Sequence, residues 1–261
     1  MSASAPVVLH GVLDGASRSP ELVLGASLGT TTEMWDPALA ALARGRRLVR
    51  YDHRGHGRSP LAPAPWEIAD LGGDVLALLD RLGLERIDYA GVSLGGMVGM
   101  WLAAHAPERI RRLVVISSSA HMPPAAAWAE RAQAVLAAGT VGAVAAAVLE
   151  RWFTPAYAAE HPDVIGWMDA MLRACPPEGY AGCCGVLERL DLRGELAAIG
   201  APTLVIGAAE DPSTPPPHSQ AIAAAIPGAR LEILAAGAHL AVIERAEEVT
   251  GLIEEHLGGG R

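Results

Sequence analysis

The sequence of 261 residues contains no lysine and no asparagine. All 20 of its basic residues are therefore arginines. Without lysine, the chain cannot form a Schiff base with a substrate carbonyl. It also cannot contain the P-loop, whose lysine reaches the phosphates of a nucleotide. Without asparagine, it offers no N-glycosylation site.

Cysteine is scarce, and positive charge is outweighed by negative charge. The three cysteines, Cys175, Cys183 and Cys184, are odd in number and two are adjacent, so they do not form a disulfide framework. They suit a reducing compartment, and residues 1–12 lack the pattern of a signal peptide, so we expect a cytoplasmic protein. The net charge of −9 argues against a nucleic acid or an anionic membrane as the main partner.

Short apolar segments alternate with helical patterns, which is typical of an α/β fold with a mainly parallel sheet. The predicted strands are Glu21–Ala26, Arg47–Tyr51, Ile87–Val92, Leu113–Ser117, Thr203–Ala208 and Leu231–Leu234, with a further edge strand at Val7–Leu13. The helices predicted between them are Pro37–Arg44, Ala69–Leu82, Leu94–His105, Ser219–Ala225 and Ala246–His256.

The alternation stops after Ser119 and resumes at Thr203. The segment between them predicts only helices, at Ala125–Ala138, Val141–Trp152, Pro155–Ala174 and Glu178–Leu190. Its charge-free part is mostly alanine and glycine, which favours two helices separated near Gly139 over a membrane span. We therefore expect a core formed by residues 1–122 and 194–261, interrupted by a helical cap at residues 123–193.

The motif that indicates chemistry is G-x-S-x-G, at residues 91–95. It is weak evidence in a chain this rich in glycine. However, it directly follows a predicted strand and precedes a predicted helix, which is the setting of a nucleophile elbow. Neighbours with side chains would collide with the crossing strand and helix, so small residues are needed there. Ser93 is the predicted nucleophile.

A serine hydroxyl needs a base to take its proton, and that base needs a carboxylate to orient it. His239 follows the last predicted strand, and Asp211 follows the strand before it. The order Ser93, Asp211, His239 is the order of the triad in α/β-hydrolases. Glu210 is the competing acid, and we prefer Asp211 because it lies one residue farther from its strand.

The tetrahedral intermediate of acyl transfer carries a negative oxygen that two backbone N–H groups should bind. One donor is expected from Leu94, the residue after the nucleophile. The other should come from the loop after the first core strand, where Leu28 is the candidate.

Over residues 20–250, the chain resembles the α/β-hydrolase superfamily, whose D-x-R-G-x-G-x-S turn matches residues 52–59. More narrowly, it resembles the 3-oxoadipate enol-lactonases of the β-ketoadipate pathway of aromatic breakdown. The segments that carry the narrower resemblance are Ser27-Leu28-Gly29-Thr30-Thr31, Met34-Trp35-Asp36-Pro37, residues 50–57, residues 91–99, Trp128-Ala129-Glu130-Arg131 and Arg151-Trp152-Phe153.

The resemblance implies a serine-dependent hydrolase that opens a carboxylate-bearing enol-lactone without a metal or an organic cofactor. An anionic lactone or ester needs a local cation, which must be arginine or histidine in this chain. Arg131, beside Trp128, is the candidate because arginine binds carboxylates in a bidentate manner. Trp152 could form an apolar wall. The alternative is that Arg131 lies on a solvated helix face and that the tryptophans pack inside the cap.

Ala26 departs from the family pattern, because enol-lactonases carry asparagine there, and the broader family's His-Gly is also missing. His53 and His56 have an H-x-x-H spacing, but no further ligand cluster accompanies them, so we expect no zinc site. Competing functions remain open: another carboxylic-ester hydrolase, a cofactor-free haloperoxidase, or a non-enzymatic ligand receptor on the same fold. The sequence does not determine the oligomeric state.

Overall fold

The structure, a computed structural model, describes residues 5–15 and 21–258. Its centre is a seven-stranded sheet with the strand order β1-β3-β2-β4-β5-β6-β7. Only β1 is antiparallel to its neighbour. The strands are β1 Gly11–Asp14, β2 Leu22–Gly25, β3 Leu48–Tyr51, β4 Ile87–Val92, β5 Ile110–Ile116, β6 Thr203–Ala208 and β7 Arg230–Leu234. This mainly parallel α/β sheet confirms the predicted fold class.

Helices cover both faces of the sheet, which explains why β2, β3, β4 and β6 are buried along their whole length. The helices are α1 Asp36–Leu42, α2 Ile68–Arg81, α3 Leu94–His105, α4 Ala125–Ala138, α5 Ala145–Trp152, α6 Pro155–Glu160, α7 Pro162–Ala174, α8 Pro177–Arg189, α9 Pro216–Ala225, α10 Ala241–Glu244 and α11 Ala246–Gly258. Within the described ranges, no helix is both long and apolar enough to cross a membrane.

The helices α4 to α8 lie between β5 and β6 and form the expected helical segment. Gly139 ends α4 in the left-handed conformation, with φ of 65°, which accounts for the break expected there. The single helix expected over residues 155–174 is wrong: it is divided into α6 and α7. His161 has the non-helical angles φ −128° and ψ 58°, and Pro162 begins the next helix because it needs no N–H partner. A division of the chain at residues 123 and 193 stays a prediction.

Other boundaries differ by a few residues. β5 begins at Ile110 rather than Leu113, α9 begins at Pro216 rather than Ser219, and the short helix α10 was not expected. These differences lie at the ends of helices and strands, where residue propensities predict boundaries poorly.

The parallel strands bring four loops to one edge of the sheet. Ser27 and Leu28 follow β2, Ser93 follows β4, Asp211 follows β6 and His239 follows β7. Ligands of open α/β sheets bind outside the carboxyl ends of the strands. The fold therefore places the predicted site residues where a ligand would bind.

Candidate active site

Ser93 occupies the sharp turn between β4 and α3. Its backbone angles are φ 54° and ψ −115°, a region that L-residues rarely adopt. Two hydrogen bonds fix the turn: the Ser93 N–H donates to the Ile116 carbonyl at 2.9 Å, and the Ser118 hydroxyl donates to the Ser93 carbonyl at 2.8 Å. The strained conformation and its supports are those of a nucleophile elbow.

The two glycines of the motif are required by close backbone packing. A Cβ atom added to Gly91 would lie 2.3 Å from the backbone of Gly95, and one added to Gly95 would lie 2.4 Å from the backbone of Gly25. Gly25 and Gly91 are partners in neighbouring strands. The strand β2, the turn and the start of α3 therefore approach too closely for any side chain at these positions.

The structure places His239 against Asp211. The Nδ1 atom of His239 lies 2.9 Å from Oδ2 of Asp211 and 3.1 Å from Oδ1. Both side chains are buried. Asp211 also accepts hydrogen bonds from the backbone N–H groups of Ser213 and Thr214 and from the Thr214 hydroxyl. Glu210, the competing acid, is exposed and contacts the Gly237 N–H instead.

These contacts define the protonation of the pair. Burial alone would raise the pKa of Asp211, but the neighbouring His239 and the Thr214 donors outweigh burial and lower that pKa below its usual value. An ionised Asp211 accepts a hydrogen bond from the Nδ1–H group of His239, which leaves the lone pair of Nε2 free to act as a base. No hydrogen bond joins Ser93 to His239 among the described residues; such bonds often shorten only when substrate binds.

The two backbone groups expected to bind an oxyanion are both available. Neither the Leu28 N–H nor the Leu94 N–H donates to any residue in the described part of the chain. Leu94 is the first residue of α3, so its N–H lies at the positive end of a helix. Leu28 is buried, and it lines the same cavity as Ser93.

That cavity opens to solvent, and its volume is about 440 Å³ when the solvent at its mouth is included. Its lining combines the predicted nucleophile and base with side chains from α4, α5 and α8. The lining residues are Ser27, Leu28, Ser93, Met97, Met122, Trp128, Arg131, Val148, Arg151, Trp152, Tyr180, Leu187, Ser213 and His239. A mostly apolar wall with a few polar groups is typical of a small-molecule site.

All of the residues predicted to bind substrate lie in this lining. Trp128 and Arg131 are one helical turn apart on α4, and the Arg131 guanidinium carbon lies 4.6 Å from the centre of the Trp128 ring. In contrast to Arg173 and Arg189 on the same segment, Arg131 forms no ion pair with any described carboxylate. The roles assigned to these residues stay predictions.

Eight lining residues were not predicted, and two of them, Arg151 and Tyr180, bring polar side chains from the inserted segment. Arg151 directly precedes Trp152, in a segment that the family resemblance already included, so a signal for it was present. Tyr180 lies near Arg131, and nothing in its sequence neighbourhood distinguishes it. Burial raises the pKa of Tyr180, while the charge of Arg131 acts in the opposite direction, so the phenol stays neutral and can donate a hydrogen bond.

The inserted segment is joined to the His239 loop at its base. The N–H of His239 donates to the Arg151 carbonyl at 3.3 Å, and the N–H of Leu240 donates to the Trp152 carbonyl at 2.9 Å. The carboxylate of Glu244 accepts from the Ala238 N–H at 3.0 Å and from both the backbone and the hydroxyl of Thr154. The end of α5 and the loop that carries the base therefore share one hydrogen-bond network.

His53 and His56 bind no common partner. Each imidazole contacts backbone groups instead. Within the ranges that the structure describes, no group of three or more His, Cys, Asp or Glu side chains could hold a metal ion. Arg54, between the two histidines, forms a buried ion pair with Asp74 on α2.

Solved structures with similar folds include two hydrolases. The first, described as a hydrolase from Pseudomonas aeruginosa PA01, is 47% identical, with a TM-score of 0.92 and coverage of 96% of this chain and 94% of that one. The second is the enol-lactonase from Burkholderia xenovorans LB400, which is 38% identical, with a TM-score of 0.93 and coverage of 96% of both chains.

The curated relatives of this chain include proteins named for two different reactions. The 3-oxoadipate enol-lactonase 2 of Acinetobacter baylyi is 36% identical over 95% of this chain and 92% of its own length. A putative carbamate hydrolase, RutD, of Pseudomonas savastanoi is 34% identical over 85% of this chain and 87% of its own length. The family model of the alpha/beta hydrolase fold matches residues 7–161. Together with the sheet and the elbow at Ser93, these matches show that the chain belongs to the α/β-hydrolase family.

Proposed function

We propose that this protein hydrolyses an enol-lactone that bears a carboxylate, converting 3-oxoadipate enol-lactone to 3-oxoadipate in the breakdown of aromatic compounds. The observation that carries the proposal is the cavity that Ser93 shares with Arg131. An arginine without a carboxylate partner, held against Trp128 in an apolar wall, suits an anionic substrate. The enol-lactonase relatives support the same substrate class.

The reaction begins when Oγ of Ser93 attacks the lactone carbonyl carbon and Nε2 of His239 takes the hydroxyl proton. The carbonyl oxygen becomes negative and accepts hydrogen bonds from the Leu28 and Leu94 N–H groups. Asp211 stabilises the positive imidazolium. The carbon–oxygen bond of the ring then breaks, and His239 returns the proton to the departing enol oxygen.

Water completes the reaction. His239 takes a proton from water as the water oxygen attacks the acyl carbon, and the bond to Ser93 breaks as the serine regains its proton. The released enol relaxes to the ketone. These steps use only side chains and backbone groups of the site and require no metal or organic cofactor. Because three free, buried cysteines suit a reducing environment, we also propose a cytoplasmic location.

The test is the loss of ultraviolet absorbance of the enol-lactone on addition of the purified protein, compared with a buffer blank and with Ser93→Ala. We expect rapid decay with the wild-type protein only. Decay that matches the blank, together with turnover of a p-nitrophenyl ester that Ser93→Ala abolishes, would reject the lactone and retain the serine mechanism.

A carbamate is the second candidate substrate, because the relatives include a putative carbamate hydrolase at similar identity. The enol-lactone carries a carboxylate that Arg131 would bind, whereas a neutral carbamate carries no such group. If carbamate turnover exceeds lactone turnover and does not depend on Arg131, the second candidate replaces the first.

A further inference from the structure

The peptide group that carries the Leu28 N–H has a neighbouring peptide group on each side. A buried imidazole contacts each of these two neighbours. On one side, the Ala26 carbonyl lies 2.9 Å from Nε2 of His53 and also accepts the Gly95 N–H at 3.0 Å. On the other side, the Gly29 N–H donates to Nε2 of His56 at 3.0 Å. The direction of the intervening Leu28 N–H is therefore fixed from both ends.

Each imidazole is restricted to one neutral tautomer. The Ala26 carbonyl can only accept, so Nε2 of His53 carries the proton. Nδ1 of His56 lies 3.2 Å from the Arg54 carbonyl, so it carries the proton and leaves Nε2 as the acceptor for Gly29. A protonated His56 would present a second donor to the Gly29 N–H and break that contact. Burial lowers the pKa of both rings, which keeps them neutral.

Neither histidine can contact substrate. The two side chains are 1% and 0% exposed, and neither lines the cavity over Ser93. Ala26 has no polar side chain that could fix the loop. The Ser27 carbonyl belongs to the same peptide group as the Leu28 N–H, and it accepts from the Thr30 N–H and hydroxyl within the loop itself. In the described part of the chain, the hydrogen bonds from the turn at residues 52–59 to the two flanking peptide groups are those of the two imidazoles.

We propose that His53 and His56 are positioning residues that aim the Leu28 N–H at the oxyanion. This inference rests on the proposed serine mechanism but not on the choice of lactone or carbamate. A misdirected donor weakens binding of the oxyanion and leaves binding of the uncharged ground state nearly unchanged, so the loss should appear in kcat rather than in KM.

A pair of variants isolates the Gly29 contact. In His56→Asn, the amide can still donate to the Arg54 carbonyl but is too short to reach Gly29. In His56→Gln, the longer side chain can place its oxygen where Nε2 lies. With p-nitrophenyl acetate, we expect His56→Asn to lower kcat by about 10- to 100-fold, less than the loss of a whole donor, with KM within about 2-fold. His56→Gln should recover most of kcat.

Binding of a phenylboronic acid, whose tetrahedral adduct with Ser93 places a negative oxygen at the same position, should weaken in His56→Asn by a similar factor. Ser59→Ala is the matched control. It removes a hydrogen bond to the Asp52 carbonyl and the acceptor of the His10 N–H, but no contact to the Leu28 loop, so it should lower the melting temperature without changing kcat.

Wild-type kcat and boronate affinity in a folded His56→Asn would overturn the proposal, as would equal losses in the Asn and Gln variants. If His56→Asn does not fold, His53→Asn and His53→Gln make the same comparison at the Ala26 carbonyl. Loss of lactone activity alone would affect only the substrate assignment. Failure of a fluorophosphonate to label Ser93 in the wild-type protein would reject the serine mechanism and this inference with it.

Discussion

The floor of the cavity comes from loops that follow parallel strands, whereas its roof comes from helices of the inserted segment. Leu28, Ser93 and His239 form the floor, and Trp128 and Arg131 belong to the roof. Close backbone contacts position the floor, and at Gly91 and Gly95 they leave no room for a Cβ atom. In the roof, the side chain of Arg131 packs against Trp128 and has no carboxylate partner among the described residues. We therefore expect the floor residues to carry out the reaction and the roof residues to determine which substrate binds.

The largest effect should come from the floor. Ser93→Ala removes the nucleophile, and we expect hydrolysis of both a lactone and a p-nitrophenyl ester to fall by up to about a million-fold, as in other triads. Initial rates at saturating substrate measure the loss. Because the Ser93 hydroxyl forms no hydrogen bond with any described residue, the melting temperature should stay close to that of the wild-type protein. Ordinary turnover in this variant would mean that the nucleophile lies elsewhere.

A substitution in the roof should affect one substrate more than another. Arg131→Ala should raise KM for an anionic lactone by roughly 10- to 100-fold, because hydrogen bonds to charged groups contribute about 1.5–3 kcal/mol. KM for a neutral ester should change much less. Arg173→Ala is the control, since this exposed arginine lies on the same segment, pairs with Asp169 and does not line the cavity. Equal changes for both substrates would remove Arg131 from the carboxylate site.

The sequence predicts the floor better than the roof, for a physical reason. Turn geometry, glycine spacing and the order of strands are local features, so Ser93, Asp211 and His239 could be proposed for one site without a structure. Arg151 and Tyr180 reach the cavity only through the packing of α5 and α8, which local patterns do not specify. The contacts from His53 and His56 to the Leu28 loop join segments 27 residues apart, so no local pattern predicts them. The H-x-x-H spacing of the two histidines is instead typical of a zinc site, which we did not expect here.

The network of Glu244 joins floor and roof, and its loss should have an intermediate effect. Glu244→Gln replaces one carboxylate oxygen, an acceptor, with an NH₂ group, a donor. That donor must face the Ala238 N–H or the N–H and hydroxyl of Thr154, which are donors themselves. We expect kcat/KM to fall by about 3- to 10-fold and the melting temperature to fall, in line with about 0.5–1.5 kcal/mol for a hydrogen bond. Glu248→Gln is the control, because exposed Glu248 pairs with Arg245 and has no contact with Ala238 or Thr154 among the described hydrogen bonds. If both variants behave alike, the network does not position His239.

The smallest effect should come from His53 and concerns stability in acid rather than catalysis. Burial first, and then the neighbouring His56, lower the pKa of His53 from 6.5 to about 3. Between these values the unfolded chain binds a proton that the folded protein does not, so the free energy of unfolding should decrease as the pH falls from about 6.5 towards 3.

The slope from His53 is at most about 1.4 kcal/mol per pH unit. Urea unfolding at pH 7 and pH 4.5 should therefore show a smaller acid loss in His53→Gln than in the wild-type protein. Ser59→Ala, which removes a buried contact in the same turn without removing a titrating group, should retain the wild-type slope. If His53→Gln and the wild-type protein show parallel pH profiles, His53 takes up its proton over the same pH range in the folded and unfolded states, and burial does not lower its pKa. A positive charge on His53 would then be tolerated beside the Ala26 carbonyl in the folded protein. The position of the Leu28 loop would in that case depend less on its buried contacts than we propose.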